Sequence, residues 1–229
     1  MMEEVLKAEA ARLGVALTQE QLALFRAFAD ALLEKNKVMN LTAITEPEAV
    51  AKLHFADCLE LLHVVDCRGK SVIDVGCGAG FPGVPMKLGE PTIRLTLLDS
   101  LQKRVNWLRE TLEALGVEAT CIASRAEEYA AREQFDLAVS RAVARLNVLA
   151  ELCLPFVKVG GYFLAMKGAA AEEELEEARH ALYVLGGSAE RTVEYEIDGM
   201  TRRVIVIRKE RPTYNAYPRR FAKIKQQPL

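Results

Sequence analysis

Three glycines at alternate positions, Gly76, Gly78 and Gly80, directly follow the apolar run of residues 71–75. Glycine takes positive φ and carries no Cβ, so a glycine turn after a buried strand is a place where backbone can approach a ligand closely. Pro82, just beyond, suits the first turn of a helix, whose free N–H groups point back at the same spot. Gly78, Gly80 and Gly83 also spell G-x-G-x-x-G, the dinucleotide fingerprint, and Asp99 closes the next strand at about the 20-residue distance where an acid takes ribose hydroxyls. Spacing therefore leaves open a nicotinamide enzyme, another adenosine-type cofactor, or a tight turn with no ligand. A P-loop is excluded, because no Gly-Lys-Ser/Thr follows.

Other chemistry-bearing residues are sparse. Cys58, Cys67, Cys77, Cys121 and Cys153 never form a C-x-x-C pair, and His54, His63 and His180 lie far apart. Zinc sites announce themselves by close ligand pairs, so no metal is expected and the cysteines read as small buried hydrophobes. His54 and Asp57 fall one helical turn apart, equally compatible with a pocket and with a satisfied core histidine. Lys103 and Arg104 open a helix, where the macrodipole disfavours cations; an anionic partner and a nearby acid explain that equally well. Arg141 and Arg145 could share a face.

A net charge of −2 gives no sign of a nucleic-acid binder, but the charge is unevenly spread. From Thr201 onward nine Lys/Arg face the single acid Glu210, whereas Glu172–Glu174 with Glu176 and Glu177 form an acidic run that reads as a solvated helix face. Arg202, Arg203, Arg211, Arg219, Arg220, Lys223 and Lys225 are interleaved with Tyr214, Tyr217 and Phe221, a pattern that can neutralise phosphates and stack unpaired bases.

Elements must hold these residues in place. Hydrophobic residues at 51% and charged residues at 27% describe an ordinary globular chain. No apolar run reaches the ~18–20 residues of a membrane span, and the acidic start lacks a secretory h-region. Residues 3–63 read as helical: Leu22, Phe25, Ala29, Leu32 and Leu33 recur at three-and-four spacing after a capping box at Thr18 and Gln21. Asn36–Asn40 weakens that helix, and a second helical stretch spans 50–64. From residue 71 strands (71–75, 93–98, 117–122, 135–139, 162–166) alternate with helices (102–115, 142–157, 170–185), and 192–197 with 203–207 suggests a closing antiparallel pair. Such alternation predicts an α/β fold with a mostly parallel, doubly wound sheet. The expected division is a helical segment over 1–68, a ligand-binding domain over 69–210, and a basic tail over 211–229.

Asp74 inside the first strand, followed by Gly76-x-Gly78-x-Gly80, resembles the first motif of class I methyltransferases. A longer set of residues resembles the RsmG (GidB) family: Asn36-Lys37 with Asn40-Leu41-Thr42, His54-Phe-Ala-Asp57, Phe81-Pro82-Gly83-Val84-Pro85, Leu98-Asp99-Ser100-Leu101, Lys103-Arg104-Val105, Ser124-Arg125-Ala126-Glu127, Ser140-Arg141-Ala142, Lys167-Gly168 and Tyr217-Pro218-Arg219-Arg220. The order and spacing carry it, and Cys58 departs from the family's usual serine. The resemblance implies a Rossmann-like, seven-stranded methyltransferase using S-adenosyl-L-methionine, acting on N7 of a guanine in the 530 loop of 16S ribosomal RNA, free or in the small subunit. With no membrane-length run, no secretory signal and no close ligand pairs, a cytoplasmic protein without metal is expected, and a monomer. Its cofactor would be held by Gly76, Gly78, Gly80, Phe81, Ala126, Glu127 and Arg141, with Asp99 on the ribose and Glu127 accepting from the adenine amine. Lys103, Arg104, Arg125, Arg145, Lys167, Arg219 and Arg220 would meet RNA. A small-molecule methyltransferase of the same fold, and a non-enzymic binding module, stand as the alternatives.

The missing motifs bear on the chemistry. No Asn/Asp-Pro-Pro-Tyr is present for an exocyclic amine, and no Pro-Cys for attack on a pyrimidine. Guanine N7 offers an in-plane lone pair and needs no general base, so no catalytic acid or base is expected and positioning must supply the rate.

Overall fold

A computed structural model describes residues 2–229; Met1, the first residue of the expected helical segment, lies outside the described residues. The chain opens with α1 (Met2–Arg12), α2 (Gln19–Met39), α3 (Pro47–Ala49), a π-helical stretch over Val50–Ala56, and α4 (Asp57–Val64). There follow β1 (Ser71–Val75), α5 (Gly83–Gly89), β2 (Arg94–Asp99), α6 (Gln102–Ala114), β3 (Thr120–Ala123), β4 (Phe135–Arg141), α7 (Leu146–Cys153), β5 (Val157–Lys167), α8 (Ala171–Leu185), β6 (Gly187–Ile197), β7 (Met200–Lys209) and α9 (Phe221–Gln226). No helix among the described residues is long and apolar enough to cross a membrane.

Among the described residues the strands form one seven-stranded sheet in the order β3-β2-β1-β4-β5-β7-β6. The first five pair in parallel, and β7 runs antiparallel to both β5 and β6. The chain steps outward from β1 to β3 and then returns to place β4 on the other side of β1. That reversal opens a crevice at the carboxyl ends of β1 and β4, where doubly wound sheets bind ligands.

Alternating strand residues feed two cores. Val72, Leu97 and Val139 pack with Phe25, Phe28, Phe55, Val84 and Leu108, so the N-terminal helices join α5 and α6 over one face. Ile73, Val75 and Ala138 pack with Leu149, Phe156, Leu182 and Ile224 on the other. The capping box forms at α2: Gln21 N donates to Thr18 Oγ1 (3.2 Å) and Thr18 N to Gln21 Oε1 (2.9 Å). The Gln21 amide also donates to the carbonyls of Leu88 and Gly89 (2.9 and 3.0 Å), so one side chain starts α2 and satisfies the end of α5.

Of the boundaries that differ from expectation, three have clear local reasons. The expected helix over 142–157 shrinks to α7, because Ala142 sits at φ +57 and Arg145 is extended at its N-cap. Strand β5 begins five residues early, at Val157, which pairs with Phe135 before a bulge that Gly160 at φ +86 allows. Strand β6 starts at Gly187; its first residues are mostly exposed on a sheet edge, so they lack the alternation that marks a half-buried strand.

Candidate functional site

A cavity of about 500 Å³ lies at the crevice, walled by the turns after β1, β2, β3 and β4. Gly76 and Gly78 line it at φ +73 and +55. A Cβ on Gly76 would come 2.6 Å from Val143 Cγ2, so the glycine lets the turn after β4 close over the turn after β1. Gly80 behaves differently. It turns away from the cavity at φ +93, and a Cβ there would meet Val84 Cγ2 at 2.7 Å and Leu108 Cδ2 at 2.9 Å. Its smallness serves the packing of α5 and α6, and it is not among the residues that line the cavity, where the sequence expected it.

Asp74 is fully buried behind the loop, and its Oδ2 accepts from Gly83 N (2.8 Å) while Oδ1 has no partner. The first N–H of α5 therefore faces this carboxylate rather than the cavity. Burial pushes the Asp74 carboxyl up to about 7, against the opposing pull of that N–H and of Arg141. Asp99, at the end of β2, accepts from Gly78 N on Oδ2 (2.9 Å) and from Leu101 N on Oδ1 (2.8 Å). Each carboxylate oxygen has a second lone pair, so Asp99 shapes the loop and can still accept from hydroxyl groups in the cavity.

Phe81, His54 and Arg141 form one cluster. The His54 and Phe81 rings stack at 4.5 Å and 18°, and the Arg141 guanidinium lies 4.8 Å from the Phe81 centroid. Arg141 donates to Asp57 Oδ2 (3.0 Å), the Leu53 carbonyl (3.2 Å) and His54 Nδ1 (3.2 Å). Because a guanidinium only donates, Nδ1 must accept, and the imidazole proton sits on Nε2, where it donates to Thr42 Oγ1 at 2.7 Å. Burial and the Arg141 charge push His54 down to about 4, so it stays neutral near pH 7. The π-helical stretch at Val50–Ala56 sets this geometry, and Tyr195 closes it by donating to Asp57 Oδ1 (2.8 Å). Asn36 explains the residues around it in the sequence: it bonds both backbone groups of Thr42 at 2.9 Å, placing Leu41 on the cavity wall and Thr42 against His54.

Ala126 and Glu127 form a 3₁₀ turn on the opposite wall. Glu127 Oε1 accepts from the backbone N–H of Phe221 (3.3 Å), and Phe221 itself lines the cavity. The sequence placed Phe221 among bases to be stacked. The tail instead folds back, held by Arg132 on the carbonyls of Thr213 (2.9 Å) and Tyr217 and by Arg219 on Glu151.

The seven cations expected at RNA separate by their partners. Arg104 and Arg125 line the cavity, Lys103 is exposed on the first turn of α6, and Arg220 is exposed at the start of α9. Lys167 is partly buried and held by Glu174 (2.7 Å) and the Ala144 carbonyl (2.6 Å), and Arg145 bonds Glu173 and Glu177. Arg219 grips the fully buried Glu151 with two side-chain donors and its backbone N–H. These three serve internal ion pairs. The acidic run is likewise more than a solvated face, since Glu173, Glu174 and Glu177 fasten the turn after β4 to α8. All five cysteines are buried and unpaired.

The cavity fits an adenosine-bearing sulfonium cofactor on its own chemistry. It offers a glycine cradle that a Cβ would narrow, two carboxylates for hydroxyl and amine donors, and a guanidinium for a carboxylate. Residues 21–205 match the family model described as GidB, rRNA small subunit methyltransferase G. The chain is 47% identical over 224 residues to the ribosomal RNA small subunit methyltransferase G of Halalkalibacterium halodurans, covering 94% of each. It is 44% identical over 213 residues to the protein of that name from Clostridium botulinum, covering 90% of this chain and 89% of the other. Among solved structures, an S-adenosylmethionine-dependent methyltransferase from Aquifex aeolicus superposes with a TM-score of 0.54 at 20% identity, covering 76% of this chain and 97% of that one, a likeness of fold.

Proposed function

From the premise that the chain belongs to the family of rRNA small subunit methyltransferase G, the GidB family, we propose that this cavity holds S-adenosyl-L-methionine and that the methyl group goes to N7 of a guanine in 16S ribosomal RNA. The bound cofactor supplies an electrophilic methyl on a sulfonium, open to in-line attack by a lone pair. Gly76 and Gly78 bring backbone against it, Asp99 accepts from the ribose hydroxyls, Ala126 and Glu127 receive the adenine, and Arg141 takes the carboxylate. Phe81 is held by its stack on His54 and forms an apolar wall that excludes water.

The observation that carries the reading is that the possible proton acceptors around the cavity, His54, Asp99 and Glu127, are already engaged. Both nitrogens of His54 are committed, and Asp99 and Glu127 bind backbone N–H groups. None is poised to remove a proton, and N7 has none to lose. Positioning and exclusion of water then carry the acceleration, for which roughly 7–11 kcal/mol is available at best. Lys103, Arg104, Arg125 and Arg220 supply phosphate contacts, whereas Arg145, Lys167 and Arg219 hold the enzyme's own parts together.

The test is transfer of labelled methyl to unmodified 16S RNA and to small-subunit particles, with nucleoside mass analysis. The expected product is 7-methylguanosine in the 530 loop. Methyl on ribose, on an exocyclic amine, or on free small acceptors only would overturn the assignment.

A further inference from the structure

A second cleft of about 390 Å³ adjoins the cofactor cavity and shares Arg141, Ala142 and Val143 as its wall. Its charged residues are spoken for, with one exception. Asp57 is held by Arg141 and Tyr195, Lys167 by Glu174, and Arg145 by Glu173 and Glu177. Arg202 has no ion pair among the described residues. Its Nε is buried without a partner, and its one hydrogen-bond contact is from Nη2 to the Met200 sulfur at 3.8 Å. Strand pairing sets Arg202 directly opposite Tyr195, so its stem is fixed beside the residue that braces Asp57 and hence Arg141.

A guanidinium is a donor with no acceptor lone pair, and one left unpaired in a cleft recruits an acceptor from outside. Building on the N7 reading above, we infer that this cleft seats the acceptor guanine and that Arg202 reads its O6. The Hoogsteen edge of guanine carries two neighbouring acceptors, N7 and O6. With N7 turned across the Arg141–Val143 wall toward the methyl donor, O6 stays on the cleft side and receives the free guanidinium. Adenine places an amine donor at the position of O6, so Arg202 meets donor with donor and rejects it. Specificity for guanine is thereby built into β7, outside the cofactor motifs, by the one cleft cation that has no ion pair among the described residues.

The experiment compares kcat/KM on 16S RNA carrying guanine, inosine or 2,6-diaminopurine at the target position, for the wild type and for Arg202→Met. Inosine keeps O6 and loses the 2-amine; diaminopurine keeps N7 and replaces O6 by an amine. The wild type is expected to favour guanine and inosine over diaminopurine by about 10–100-fold, the range of one good base-edge contact. Arg202→Met is expected to lose about that factor on guanine and inosine, to change little on diaminopurine, and to bind S-adenosylmethionine as the wild type does. Equal losses on all three RNAs, with a shallower salt dependence, would overturn the inference by making Arg202 a phosphate contact. Unchanged discrimination in the variant would overturn it too. Failure of the wild type to methylate guanine at N7 is a separate result, which removes the underlying reading and the inference with it.

Discussion

Replacing Arg219 by alanine separates two roles for the tail cation. Glu151 is fully buried in α7, and Arg219, 16% exposed, gives it Nε at 2.8 Å and Nη2 at 2.6 Å, with its own backbone N–H adding a third donor at 2.8 Å. Removing one partner of a buried pair leaves an uncompensated charge and costs about 3–5 kcal/mol. In a chain of this size about 1 kcal/mol corresponds to roughly 2–4 °C, so global loss would lower Tm by roughly 6–20 °C. The chain has a cheaper response available. The tail from Thr213 to Gln226 can undock and let water reach Glu151, which caps the cost at the docking energy of that segment. Undocking also withdraws Phe221 from the cofactor cavity and frees Glu127 from its N–H.

Arg219→Ala should therefore show a modest fall in Tm, fast hydrogen exchange confined to residues 213–226, and cofactor binding about tenfold weaker, since an apolar contact worth about 1.4 kcal/mol is lost. Thermal melting, native-state exchange and calorimetric titration with S-adenosylmethionine measure the three in turn. Glu151→Gln combined with Arg219→Met should recover much of the loss, because the buried charge is removed with its partner. Wild-type stability and cofactor affinity in Arg219→Ala, together with weaker RNA binding and a reduced salt slope, would refute this reasoning and return Arg219 to the RNA surface.

Three further outcomes follow from the site. Asp74 titrates at about 7 when folded against 3.8 otherwise, so its contribution is present below pH 3.8 and lost as pH rises through 7, a span worth about 4 kcal/mol. Urea midpoints should thus show Asp74→Asn gaining on the wild type between pH 5 and 8, and parallel pH curves for the two would sink the assignment. His54 acts oppositely: pushed down to about 4 from 6.5, it withdraws stability as pH falls through that window, which is why the difference between variants must be read. Its ring should stay neutral with the proton on Nε2 in ¹⁵N spectra from pH 6 to 8; a midpoint near 6.5 would contradict the contact with Arg141. Gly80→Ala should cost about 2–4 kcal/mol from strain and overlap while the folded fraction keeps its cofactor affinity. Gly78→Ala, at φ +55 but with open space around its Cβ, should cost only about 1–2 kcal/mol, from backbone strain alone, and weaken cofactor binding.

What the sequence revealed and what it concealed divide along the range of the interactions. Strand β1, the glycine turn and Asp99 were legible because each is encoded within a few residues: an apolar run, positive-φ glycines and an acid at the next strand end. The capping box at Thr18 was legible for the same reason. The π-helical stretch at Val50–Ala56 was not, since its side-chain pattern passes for an ordinary helix, and it is this stretch that carries His54 and leads into Asp57 beside Arg141. The fates of the cations were hidden for another reason. Nothing near Arg219 announces Glu151, 68 residues away, and nothing near Lys167 distinguishes it from Arg125 except what the fold brings alongside. Positive charge in the sequence marks capacity to bind anions, but the chain's own carboxylates compete for it first. Arg145, Lys167 and Arg219 are taken by Glu173, Glu174, Glu177 and Glu151, and what remains for an outside ligand is Lys103, Arg104 and Arg220, with Arg125 at 3.7 Å from Glu127. That set sits at the mouth of the cofactor cavity and, in Arg202, in the cleft beside it, so the pairing of charges inside the fold decides where a polyanion can dock.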